Sequence, residues 1–126
     1  SVYRDDFRSA SKTEIEKVEK EVNAKSSKRS VLVLTQIYKG EKIIVSQNGK
    51  TIYSEYPITN LKSKIADYFS INNLEDVLIK DSNSGKEIII PTKKSNKYKY
   101  IYVMKKVTKG KFQYVITYSN TLRPLK

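Results

Sequence analysis

Cysteine, histidine and tryptophan are absent from the 126 residues, glycine and proline number four and three, and Asp and Glu are outnumbered 13 to 25 by Lys and Arg. Without cysteine there is no disulfide framework and no thiolate metal site. Without histidine as well, the commonest general base, the Ser-His and Cys-His nucleophile pairs and the usual zinc and iron ligand sets are excluded. Chemistry is left to Asp, Glu, Lys, Tyr, Ser, Thr and Arg. No run of 18 apolar residues occurs, so no transmembrane helix is expected. A Gly-rich phosphate loop, a Walker motif and an EF-hand pattern are missing too. No cofactor and no metal are expected.

The net charge of +12 favours anionic partners: nucleic acid, an acidic glycan, anionic lipid headgroups or an acidic protein. Lysine on exposed strands also keeps a chain soluble and blunts sheet edges, a purely structural use of the same charge. The excess is mainly C-terminal, because residues 93–126 hold ten Lys and Arg and no Asp or Glu, with five of the ten tyrosines. The length fits one domain with a working core. A start at Ser1 without an apolar signal region fits a processed mature protein or a trimmed chain.

Ser11-Lys12-Thr13-Glu14 reads as a capping box, so a helix is expected to run to about Ala24. Ile15, Val18 and Val22 make a narrow apolar stripe on it, and Glu16 with Lys20 and Glu21 with Lys25 are favourable i, i+4 pairs. That stripe must rest on the chain's own sheet or on a partner, since a lone helix of this length is marginal in water. The following segment, 25–30, reads as a solvated linker. The organisation expected is an N-terminal helical arm and linker over 1–30 and an antiparallel β domain over 31–126.

From Val31 onward, segments rich in Val, Ile, Tyr and Thr predict strands at 31–38, 41–47, 51–56, 76–81, 87–91, 98–106 and 111–119. Asn48-Gly49 is a strong hairpin turn, because both residues tolerate positive φ. Asn83-Ser84-Gly85 and Thr108-Lys109-Gly110 place Gly where a type I turn with a bulge needs it. Segment 58–71 fits a short helix through Leu61, Ile65, Tyr68 and Phe69, or an inward-facing strand. The fold class expected is mainly β, an antiparallel β-sandwich or a curled barrel with an N-terminal α-helix.

The last two strands carry the most suggestive pattern. Alternation puts Tyr98, Tyr100, Tyr102 and Met104 on one face of the first, and Phe112, Tyr114, Ile116 and Tyr118 on one face of the second. A three-residue Thr108-Lys109-Gly110 loop would merge them into one aromatic face. A two-residue Lys109-Gly110 loop would instead set Ile101 and Val103 beside Tyr118 and Ile116, with the other tyrosines beside Thr117 and Ser119. Tyr98, Tyr100, Tyr102, Tyr114 and Tyr118 are the candidate aromatic face, as core with hydroxyls at the rim or as a stacking platform. Lys97, Lys99, Lys105, Lys106, Lys109 and Lys111 are the candidate anion-binding residues. Changing Lys105, Lys106, Lys109 and Lys111 together to Glu is expected to abolish retention on heparin or anionic lipid and leave the fold intact.

Val45-Ser46-Gln47-Asn48-Gly49-Lys50-Thr51-Ile52-Tyr53, Ile58-Thr59-Asn60 followed by Ile65-Ala66-Asp67-Tyr68-Phe69, Lys97-Tyr98-Lys99-Tyr100-Ile101-Tyr102 and Tyr118-Ser119-Asn120 together resemble small exported β-rich proteins of Bacteroidota. The likeness covers about residues 39–123. This chain has Lys64-Ile65-Ala66 where that group carries Gly before Leu-Ala. The resemblance implies export to the periplasm or beyond and a β-sandwich-like fold, and it brings no active site.

Enzymatic candidates are few. Asp5-Asp6 and Glu75-Asp76 are adjacent carboxylates, which a strand would send to opposite faces, whereas a glycosidase needs two that converge. A metal-free ribonuclease resembling the RelE-like toxins is the one enzyme class that the missing histidine does not hurt. The reading with most support is a non-catalytic binding or structural protein whose partner is an anionic polymer, an anionic lipid surface or an acidic protein. An interaction module built on the helix stripe is the second alternative.

Overall fold

The computed structural model describes residues 2–6 and 8–125. Among them the elements run β1 (Val2–Tyr3), α1 (Lys12–Glu21), β2 (Arg29–Leu34), β3 (Ile43–Gln47), β4 (Lys50–Glu55), β5 (Asp67–Asn72), β6 (Val77–Asp81), β7 (Glu87–Ile90), α2 (Thr92–Ser95), β8 (Tyr100–Thr108) and β9 (Lys111–Ser119). The strands form two sheets, ordered β1-β9-β8-β2-β5 and β4-β3-β6-β7. The protein is mainly β and is not closed into a barrel. Segment 58–71 resolves as a turn followed by a strand: Asn60 Oδ1 accepts from the amides of Lys62 and Ser63 at 2.8 and 3.1 Å, and β5 begins at Asp67.

Two further expectations need correction. The sheets are not wholly antiparallel, because β2 pairs parallel with β8 and β1 parallel with β9. The cause is topological: β3 and β4 leave for the second sheet and the chain returns as β5, antiparallel to β2; β6 and β7 then leave again, and the chain re-enters the first sheet through α2 beside Ser30, at the end where β2 also starts. Nor is the helix the first element. β1 precedes it, and its two residues are too few for alternation to signal a strand.

α1 starts as its sequence directs, with Ser11 Oγ accepting from the Glu14 amide at 3.2 Å. Only that half of the capping box forms, since the Glu14 carboxylate accepts from the Leu125 amide at 2.8 Å. The helix stops at Glu21, three residues short of the expected end. Asn23 there takes φ 57 and the Ala24 amide reaches back to the Glu19 carbonyl, a left-handed stop of the kind Asn tolerates. Glu21 accepts from the Tyr68 hydroxyl at 2.8 Å and forms no ion pair with Lys25. Val18 is buried in a cluster with Val31, Val33, Tyr100, Tyr102 and Leu122, with Ile15 and Val22 packed against it. The apolar stripe therefore rests on the molecule's own sheet.

The second and larger cluster lies between the sheets. Leu32, Leu34, Ile101, Val103 and Ile116 from one sheet meet Ile43, Val45, Val77, Ile79 and Ile90 from the other. β2 is thus covered on both faces, by α1 and by the second sheet. That explains its unbroken apolar run Val31-Leu32-Val33-Leu34, which shows no alternation. β2 begins at Arg29, inside the expected linker.

Candidate anion-binding surfaces

The turn between β8 and β9 decides where every candidate side chain points. Lys109 and Gly110 both have positive φ, 52 and 79, and Thr108 pairs with Lys111, so the loop is the two-residue kind. Ile101 accordingly faces Tyr118, Val103 faces Ile116, and Tyr100 and Tyr102 lie beside Ser119 and Thr117. The single aromatic face does not form. Tyr100 and Tyr102 turn toward α1, where their hydroxyls donate to Glu19 Oε2 at 2.9 Å and to the Thr121 carbonyl at 2.6 Å. Burial pushes the Tyr102 hydroxyl up to about 12. Tyr114 and Tyr118 turn to the inter-sheet core, and among the described residues the buried Tyr114 hydroxyl has no hydrogen-bond partner.

The six candidate lysines are divided in the same way. Lys105, expected in water, is buried: Nζ donates to Glu41 Oε1 and Asp81 Oδ2, both at 2.8 Å. Its neighbour across the hairpin is Tyr114, so the register that carries Tyr114 inward carries Lys105 with it. Burial raises the Asp81 carboxyl, but the bond from Lys105 and the amides of Ser84 and Asn83 outweigh it and hold the group below its ordinary range. Glu41 is likewise pushed up by burial and brought below normal by Lys105 and the Lys39 amide. Lys99 is half-buried and donates to the carbonyls of Ala24, Ser26 and Arg29, the latter two at 3.0 and 2.9 Å. Burial pushes its pKa down. It ties the connection after α1 to the start of β8.

Lys97, Lys106, Lys109 and Lys111 are exposed, at opposite ends of the hairpin. The nine-residue β8 separates them by about 30 Å at roughly 3.3 Å per residue. Around the tip, Lys106, Lys109 and Lys111 share one end of the molecule with Lys39, Lys62 and Lys64, all exposed. Backbone bonds hold that end together: Ile37 N donates to Lys105 O at 3.1 Å, Thr59 N to Tyr38 O at 2.9 Å, and Lys39 pairs with Ile58. The exposed carboxylates there are Glu55 and Glu87, and among the described residues neither is within ion-pair distance of a lysine. A cavity of about 410 Å³ opens beneath the tip, lined by Ile37, Val107 and Phe112 with Lys105 and its partners Glu41 and Asp81 in its wall.

At the other end, Tyr3, Tyr98 and Tyr118 form a triangle with ring centroids 5.2 to 5.5 Å apart. Lys93, Lys94 and Lys97 line a cavity of about 230 Å³ with Tyr3 and Tyr98. Lys94 Nζ donates to the Tyr3 hydroxyl, 4.8 Å from the centre of that ring. Tyr3 joins the cluster only because β1 pairs with β9, a contact with no local sequence signal. Lys62 and Lys64 were likewise missed, because the turn that presents them lies in the segment whose pattern fitted either a helix or a strand.

Among the described residues no group of three or more carboxylates is placed to hold a metal ion. No helix among them is long and apolar enough to cross a membrane. No protein-family model matches the chain, and no curated protein is significantly similar to it.

Proposed function

We propose that the chain is an exported, non-catalytic binding protein that holds an anionic partner against the lysine-rich end formed by the β8–β9 tip and the loops beside it. The observation that supports this reading is the set Lys39, Lys62, Lys64, Lys106, Lys109 and Lys111, drawn from three separate segments, exposed at one end and without ion-pair partners among the described residues. Unneutralised lysines gathered at one end raise the local potential, recruit polyanions and lose their grip as salt screens them. The test is retention of Lys106→Glu/Lys109→Glu/Lys111→Glu on immobilised heparin at rising salt. The variant is expected to elute at much lower salt than the parent with an unchanged circular dichroism spectrum. Equal elution of the two proteins would refute the reading.

Lys93 and Lys97, exposed beside Tyr3 and Tyr98, support a second contact of the same kind at the opposite end. Lys93→Glu/Lys94→Glu/Lys97→Glu, compared with the tip variant, assigns retention to one end or the other.

A further inference from the structure

We infer that the lysine-rich end docks on the surface of an anionic lipid bilayer, with Ile37, Ile58, Leu61 and Val107 entering the headgroup and upper acyl region. The inference rests on the anion-binding reading above and names the partner of that surface. These four side chains are 43, 67, 83 and 54% exposed, and they stand among the same lysines: Leu61 precedes Lys62, Val107 follows Lys106, and Ile58 pairs with Lys39. Tyr56, 63% exposed, adds an amphipathic ring of the type that favours the membrane interface.

A nucleic acid or a sulfated glycan would account for the charge but not for the aliphatic groups, which carry neither a donor for a phosphate nor a ring for a base. A bilayer uses both. Its negative surface attracts the lysines, and its interior takes apolar area out of water. Nothing need move for this: Asn60 Oδ1 fixes the Leu61 turn through the Lys62 and Ser63 amides, and the Lys109-Gly110 turn fixes the hairpin tip. The aliphatic groups are therefore held outward in water, where they contribute nothing to the core.

The chain has no tryptophan, so Leu61→Trp introduces a single reporter at the proposed contact and Leu74→Trp a control. Leu74 is 56% exposed in the turn after β5, at the opposite end, where the Asn73 amide binds the Lys28 carbonyl. Vesicles of equimolar phosphatidylcholine and phosphatidylglycerol are expected to shift the Leu61→Trp emission to the blue and leave Leu74→Trp unchanged, with no shift on phosphatidylcholine alone. Ile58→Ser/Leu61→Ser is expected to weaken vesicle binding at least about tenfold while its elution from heparin stays that of the parent. Val107→Trp, on a different segment, repeats the reading if the turn at 60–64 does not tolerate change. Retention on heparin with no vesicle binding and no shift would overturn the bilayer and leave the anion-binding reading standing. An equal shift for Leu74→Trp would overturn the docking face, and parent-like heparin elution of the triple lysine variant would overturn the reading beneath both.

Discussion

Lys105 and Asp81 join the two sheets, with Nζ and Oδ2 2.8 Å apart and both side chains almost excluded from water. Glu41 takes a second Nζ bond at 2.8 Å, and Asp81 uses its other oxygen to cap the turn after β6 through the Asn83 and Ser84 amides. Nζ also lies 4.4 Å from the centre of the Phe112 ring. The cation is thus held by two carboxylates and the face of an aromatic ring. Lys105→Met leaves Asp81 buried beside an apolar group and is expected to cost about 3–5 kcal/mol, because breaking a buried pair strands a charge. Urea unfolding measures it. Adding Asp81→Asn and Glu41→Gln is expected to restore much of the loss.

The same geometry separates binding from folding at the hairpin. Lys105→Glu would place a third carboxylate against Glu41 and Asp81, so a variant that includes it is expected to unfold rather than merely lose an anion. The triple change at Lys106, Lys109 and Lys111 is expected to keep its thermal midpoint within a few degrees, surface substitutions costing about 0.5 kcal/mol or less each. Parallel melts of the triple variant and the same variant with Lys105→Glu distinguish the two roles.

Asp81 and Glu41 have folded pKa values below their ordinary ones, so each favours the folded state when ionised. Their contribution is complete above the unfolded carboxylate range, about pH 4. It is lost as pH falls through the lower folded values, because the unfolded chain takes up protons first. Stability measured by urea is expected to fall below about pH 4, and the slope is expected to flatten in the Asp81→Asn/Glu41→Gln/Lys105→Met variant.

Val18, on the inner face of α1, is 3% exposed and Ala24 is fully buried. Val18→Ala removes two methyl groups from that cluster and is expected to cost about 2 kcal/mol. Ser11→Ala removes the cap and is expected to cost about 1 kcal/mol. Deleting residues 1–29 also takes β1 off β9, so the remaining chain is expected to melt at markedly lower temperature, or not to fold. A fully stable remainder would show that α1 is an accessory arm.

Gly110 has φ 79 with open space where a Cβ would sit, so Gly110→Ala is a test of backbone strain alone. It is expected to cost about 1–2 kcal/mol, the left-handed penalty of an L-residue. Urea unfolding reads that loss.

Local chemistry made much of this molecule legible. Richness in Val, Ile, Tyr and Thr located β3, β4, β6, β7, β8 and β9 to within two residues, and Asn48-Gly49 was readable as a turn because it needs only side chains that accept positive φ. The face of a strand is another matter. Period two divides β8 into two rows without saying which row is inside, and one residue in the turn exchanges them. Hence Lys105 was placed in water, and the face of the tyrosines was left to the length of the loop, whose two-residue form is the one observed.

Composition alone removed histidine and cysteine chemistry, set the charge and supplied enough β-formers for two sheets. Tertiary structure decided which charges are available. Glu41 and Asp81 lie 64 and 24 residues from Lys105 in sequence, and Tyr3 reaches Tyr118 only through a parallel pairing of the chain's two ends. Such contacts depend on how the sheets stack. A lysine's own neighbours in sequence therefore could not show whether it would meet a carboxylate, a row of carbonyls or water.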